Sequence, residues 1–136
     1  MKTVIPLLSL IISIGCAQHA SSGQFESIRQ LVCEGRYADA IPRLEAYNGR
    51  HQSRAGLFLG KAHLGLGDFK KARQAFSDTV RDFPESLEAH KCRYKLALLS
   101  LLQGDSASAR KQFSELSAKP DGPLVAEAAA MAEFIE

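Results

Sequence analysis

A six-residue phrase occurs three times in this chain: GRYADA at Gly35–Ala40, GDFKKA at Gly67–Ala72 and GDSASA at Gly104–Ala109. In each copy an Ala follows the Gly by five residues and a large apolar residue follows it by nine, which brings Leu44, Phe76 and Phe113 into phase. The copies stand 32 and 37 residues apart, a spacing at which self-similarity produces stacked helical hairpins and not one closed core. The predicted fold is all-α: a short α-solenoid of about three antiparallel helix hairpins, plus a C-terminal capping helix.

Apolar spacing outlines the helices. Phe25, Ile28, Leu31 and Val32 recur at three- and four-residue steps, predicting an amphipathic helix from Gln24 to Glu34 that stops at Gly35. Its partner runs from Tyr37 to Tyr47 with Ala40, Ile41, Leu44 and Tyr47 on one face. Pro42 removes a backbone donor there and is expected to kink the helix unless it begins near Asp39. The second hairpin reads Arg54 to Leu66 and Phe69 to Phe83, with Asp68 as N-cap and Pro84 as stop. The third begins at a Ser86 cap, runs to Leu102, turns at Gly104-Asp105 and continues from Ser106 to Ala118 with Ala109, Phe113 and Leu116 inward. Ser106 stands where the earlier copies carry an aromatic, so packing is expected to weaken there. An Ala-rich helix from Leu124 to Ile135, with Met131 and Phe134, has no partner and is expected to cover the open face of the third hairpin.

The pair Leu59-Gly60, then Gly67-Asp68-Phe69, Ala72, Phe76 and Pro84, resembles the signature of the tetratricopeptide repeat family. That resemblance divides 24–136 into repeats at roughly 24–52, 53–84 and 85–120 and a cap helix at 123–136. It implies a scaffold role for Gly35, Ala40, Leu59, Gly60, Gly67, Phe69, Ala72, Phe76, Pro84, Gly104, Ala109 and Phe113. The small residues let antiparallel helices approach, and Phe69 and Phe76 are expected to fill the space between hairpins. The segment DFPES at 82–86 and the helix after it resemble repeats of envelope-associated members of the family.

The family fold implies a concave surface built by the first helix of each pair and suited to a helical or extended peptide. Arg29 and Lys61 occupy equivalent places 32 residues apart, and Arg54 and Lys91 lie near another, with Tyr94 and Lys95 beside Lys91. These six form a candidate peptide-binding groove whose basic stripe favours an acidic segment or a free carboxylate. The alternative is an ordinary solvated basic helix face. The Asn residues of the family's carboxylate-clamp subclass are missing from these helices, so chaperone-tail binding is not implied.

The amino terminus follows other rules. Lys2 precedes an apolar run from Val4 to Ile14, which reads as a secretory signal too short to span a bilayer as a helix. Ser13-Ile14-Gly15-Cys16 resembles the lipobox of bacterial lipoproteins, although the family usually has an aliphatic residue where Ser13 stands. The resemblance implies a signal peptide at 1–15, lipidation of Cys16 and a tether at 16–23; ordinary cleavage after Ser22 is the alternative. Ala17, in place of Asp, favours the outer over the inner membrane. From Ala17 to Gly23 the chain reaches at most about 23 Å, so a partner would be held near the periplasmic face of the membrane.

Chemistry is sparsely provided for. His19, His51, His63 and His90 are scattered, with no HExxH or Cys-x-x-Cys pattern, so no metal, cofactor or catalytic residue is expected. His63 reads as a packed imidazole. Cys33 and Cys92 lie on the first helices of hairpins one and three, too far apart for a disulfide, and read as small buried packing residues. Lys plus Arg exceed Asp plus Glu by only 17 to 15, which gives no overall field for nucleic acid. The expected function is a membrane-tethered adaptor holding a protein or peptide partner in the cell envelope, with no small-molecule substrate. The alternatives are a structural subunit that stacks through its terminal helix, or a soluble exported peptide-binding protein.

Overall fold

The computed structural model describes residues 23–119 and 122–135. The candidate signal, Cys16 and the chain up to Ser22 lie outside the described residues. Among those described, seven helices follow in order: α1 (23–33), α2 (Tyr37–Glu45), α3 (Gln52–Gly65), α4 (Phe69–Asp82), α5 (Leu87–Leu102), α6 (Ser106–Ser117) and α7 (Val125–Phe134). There is no strand among the described residues, and none of the helices is long and apolar enough to cross a membrane. The architecture is the predicted stack of three hairpins with an added helix.

The repeated Gly makes each turn. Gly35, Gly67 and Gly104 have φ of 76°, 77° and 81°, the left-handed conformation that a β-carbon disfavours. Each turn is closed by a bond from the residue after the Gly to the helix carbonyl five before it: Arg36 to Leu31 at 2.8 Å, Asp68 to His63 at 2.9 Å and Asp105 to Ser100 at 2.9 Å. These bonds satisfy carbonyls that a helix end otherwise leaves unpaired. Asp68 and Asp105 then cap the next helices, accepting from the N–H groups of Lys71 and Ser108, each at 3.1 Å. Ser86 caps α5 through Ala89 N–H at 3.0 Å. α2 continues through Pro42 and ends at Glu45, two residues short of the expected end.

The Ala of each phrase sits where two helices touch: Ala40, Ala72 and Ala109 are fully buried. A β-carbon on Gly60 would collide with the edge of the Phe76 ring, so this glycine sets the closeness of α3 and α4. Three apolar clusters follow along the stack. Phe25, Ile28, Leu31, Leu44 and Tyr47 join α1 to α2 and α3; Leu57, Phe76, Cys92 and Leu99 join α3, α4 and α5; Phe113, Leu116, Ala128 and Ile135 close the carboxyl end. His63 is buried, as its sequence context suggested.

Two expectations are corrected. Phe69, the first residue of α4, stands at the turn end of its hairpin, just after Gly67-Asp68; it stays 41% exposed, with Leu66 before the turn exposed too, and does not fill the space between hairpins. Cys33 is exposed, because it lies on the side of α1 that carries Arg29, whose Nη1 is 4.0 Å from its Sγ, and not on the Phe25–Ile28–Leu31–Val32 face. The terminal helix α7 buries Ala128, and Ile135 just after it is buried too, while Phe134, its last residue, is exposed.

Candidate functional site

Consecutive helices pack on each other, and α3 also packs on α5, whereas α2, α4 and α6 do not pack on one another to that extent. The first helices therefore form the inner, closer layer, and their outward side is the concave face of the stack. At 100° per residue, Arg54, Phe58, Lys61 and Gly65 follow one line along α3. Lys91, Lys95, Leu98 and Leu102 follow one line along α5.

The structure brings three of the six predicted groove residues into one group. Lys61 feels the charges of Lys95 and Lys91; burial first, then these two like charges, hold its ammonium below the usual lysine range. Its Nζ lies over the Phe58 ring, 4.8 Å from the centroid, a cation–π contact that partly offsets the repulsion. Phe58 is itself fixed edge-on against Phe25 of α1 at 5.9 Å. Leu98, three residues on from Lys95, is partly buried against the Phe113–Ala128 cluster, and Leu102, a further turn along α5, is 68% exposed.

The two arginines stand differently. Arg29 donates to both carboxylate oxygens of Glu26, and this pairing holds the Glu26 carboxyl below its ordinary range. Arg54 lies 3.7 Å from Glu88, with its guanidinium 5.9 Å from the Phe25 ring centroid. Glu88, whose side chain is mostly buried, also accepts from Ser53 at 3.2 Å, so Arg54 helps join the starts of α3 and α5. Tyr94 leaves the groove: its ring packs edge-on against Phe113 of α6 at 5.2 Å. The sequence reading missed Phe58, for which the only signal was position one helical turn from a predicted lysine.

Among the described residues no group of His, Cys, Asp or Glu could hold a metal ion. The arrangement offers an open face with clustered positive charge and nearby apolar side chains. Such a surface can receive acidic and apolar side chains of an extended or helical segment.

The tetratricopeptide repeat profile matches residues 30–86 and, overlapping them, 57–123. No curated protein matches the sequence. Among solved structures, PcrH from Pseudomonas aeruginosa is similar at 22% identity with a TM-score of 0.74, over 86% of this chain and 92% of that one. PcrH in complex with the chaperone binding region of PopB aligns at 21% identity and TM-score 0.69, over 83% and 94%. PcrH in complex with the chaperone binding region of PopD aligns at 22% identity and TM-score 0.70, over 84% and 89%. These likenesses concern the fold. With profile matches that run through all three hairpins, the chain belongs to the tetratricopeptide repeat family.

Proposed function

We propose that this protein is a peptide-binding adaptor that receives an acidic, partly apolar segment on its inner helix layer. The carrying observation is the group Lys61, Lys91 and Lys95: Lys61 stands over the Phe58 ring, and burial first, then the charges of Lys95 and Lys91, hold its ammonium below the usual lysine range. An arriving carboxylate relieves that repulsion, so the bound state gains what the free state lacks. The similar PcrH is known in complex with segments of PopB and PopD, which supports a peptide as the kind of partner. Fluorescence anisotropy with a labelled peptide alternating Glu with Leu and Phe tests this. Binding to the full chain is expected, with loss on Lys61→Glu plus Lys95→Glu; equal binding of a Lys-for-Glu version of the peptide would overturn it.

The tether belongs to the same proposal. The Ser13-Ile14-Gly15-Cys16 pattern after an apolar run supports acylation of Cys16, which would hold the adaptor at the periplasmic face of the cell envelope, on the outer membrane. Several acyl chains anchor firmly where one does not. Changing Cys16 to Ala is expected to abolish labelling by a radioactive fatty acid and release the protein from membranes; unchanged membrane association would refute the tether while leaving the peptide face untouched.

A further inference from the structure

The opposite side of the stack holds a second cationic feature. A cleft of about 420 Å³ lies where α4, α5 and α6 meet, lined by Arg73, Ser77, Arg93, Leu96, Gln112, Glu115, Leu116 and Lys119. Arg93 and Leu96 lie well round α5 from the line of Lys91, Lys95 and Leu98, by the 100° step of the helix, so cleft and peptide face are distinct.

Arg93 is the telling residue. Its Nη2 donates to the Pro84 carbonyl at 2.9 Å, which fixes the guanidinium, while its Nη1 is buried with no hydrogen-bond partner. A buried guanidinium donor left unpaired is costly, and because Nη1 itself is covered, it meets a ligand oxygen when the Arg93 side chain turns into the cleft that it lines. Arg73 is held in place by Gln103, whose Oε1 accepts at 2.7 Å. Among the described residues, Arg73, Arg93 and Lys119 make no ion pair within 4.0 Å of a carboxylate, although Glu115 also lines the cleft. The positive field extends to His90, which burial, Arg93 and Lys119 together hold below the usual histidine range.

We infer that this cleft binds a small molecule carrying a phosphomonoester on an apolar body. Three cations against the single Glu115 carboxylate leave two positive charges in excess, which matches the charge of about −1.5 to −2 on a phosphomonoester near neutral pH. Guanidinium groups pair with such oxygens in two-pronged fashion. The volume is that of a small-ligand site and exceeds what a bare phosphate fills; Leu96 and Leu116 supply the apolar wall, Ser77 and Gln112 polar contacts.

Calorimetry and amide chemical-shift mapping on the full chain, with phenyl phosphate, inorganic phosphate and phenol as probes, decide it. Phenyl phosphate is expected to bind more tightly than the other two and to shift Ser77, Leu96, Gln112 and Leu116. Arg93→Gln and Arg73→Gln are each expected to weaken it by about tenfold or more, and Arg43→Gln, on exposed α2 surface, to leave it unchanged. Because Arg93→Gln also removes the bond to Pro84, Arg73→Gln and Lys119→Gln keep the test sound if that variant loosens the α4–α5 turn. Unaltered affinity in Arg73→Gln and Lys119→Gln, inorganic phosphate binding as well as phenyl phosphate, or binding of a phosphoserine peptide alone would each overturn it. None of these results depends on Lys61 or Lys95, so the cleft and the peptide face stand or fall separately.

Discussion

The arginine end and the lysine end of the inner face carry similar charge, yet they are different surfaces. Arg29 and Arg54 are answered by Glu26 and Glu88, and the carboxylates fix them to α1 and to the α3–α5 joint. Lys61, Lys91 and Lys95 have no carboxylate within 4.0 Å among the described residues and repel one another. A basic stripe counted in sequence overstates the groove, because a cation already paired has little left for a partner. Recognition is expected to reside in the lysines.

The two thiols of the first-helix layer report on this comparison with the largest effect. Cys33 is exposed beside Arg29, whereas Cys92 is fully buried on α5 and burial pushes its thiol up to about 12. At neutral pH that suppresses the reactive thiolate of Cys92 about a thousandfold relative to an ordinary thiol near 9.0. Iodoacetamide labelling followed by peptide mass mapping is expected to modify Cys33 and spare Cys92 until the chain unfolds. A bound acidic peptide that protects Cys33 would extend the binding surface to the arginine end; unchanged labelling confines it to the lysines.

Charge reversal probes the same contrast more directly. Removing a charge-assisted hydrogen bond costs about 1.5–3 kcal/mol, and reversing Lys61 and Lys95 removes one at each position, so the double variant is expected to weaken an acidic peptide by about a hundredfold or more. Arg29→Gln removes an exposed, already paired cation and is expected to change affinity by no more than about twofold. Equal losses in the two experiments would erase the distinction between the ends. Far-ultraviolet circular dichroism should be unchanged in each variant, since Lys61 and Lys95 contribute no hydrogen bond to the fold among the described residues and Arg29 bonds within its own helix.

The frame that spaces these charges was legible in the sequence for a physical reason. A Gly that must adopt positive φ and an Ala that must lie between two helices leave few substitutes, so Gly35, Gly67, Gly104 and Ala40, Ala72, Ala109 recur in phase. The site was less legible. That Glu26 would occupy Arg29 was available in their three-residue spacing on α1, whereas the hold of Glu88 on Arg54 depends on side chains reaching from α5 to α3, and periodicity carries no record of it. Tyr94 has the spacing of a groove residue, but Phe113 offers it a ring to pack against. The α4–α5–α6 cleft draws two or three residues from each of three helices, and their meeting depends on how the helices pack, so no pattern announced it.

Gly60 links frame to charge. It lets Phe76 come against α3 one residue before Lys61, so Gly60→Ala forces α3 and α4 apart or Phe76 off its rotamer. Overpacking of this kind costs about 1–3 kcal/mol, and the chemical denaturation midpoint is expected to fall accordingly. Because the shift displaces Lys61 and leaves Arg29 on α1 in place, the drop in peptide affinity should be confined to the part that depends on lysine.

The smallest expected effect concerns protons. Lys61 has its pKa lowered in the free protein by burial and by Lys95 and Lys91, so between this value and the ordinary lysine value the unfolded chain binds more protons than the folded one, and stability contributed by this group rises with pH. An acidic peptide works in the opposite sense: its carboxylates raise the Lys61 pKa towards or above the ordinary value. In the window between the free and bound values, binding therefore takes up a fraction of one proton, and affinity declines as pH rises through the lowered free-state pKa. Calorimetry in buffers of differing ionisation enthalpy measures this uptake. Lys61→Met is expected to remove it, whereas Arg29→Gln is expected to preserve it, because a guanidinium stays protonated throughout. Proton uptake that persists in Lys61→Met would move the site away from the crowded lysines and return the arginine end to consideration.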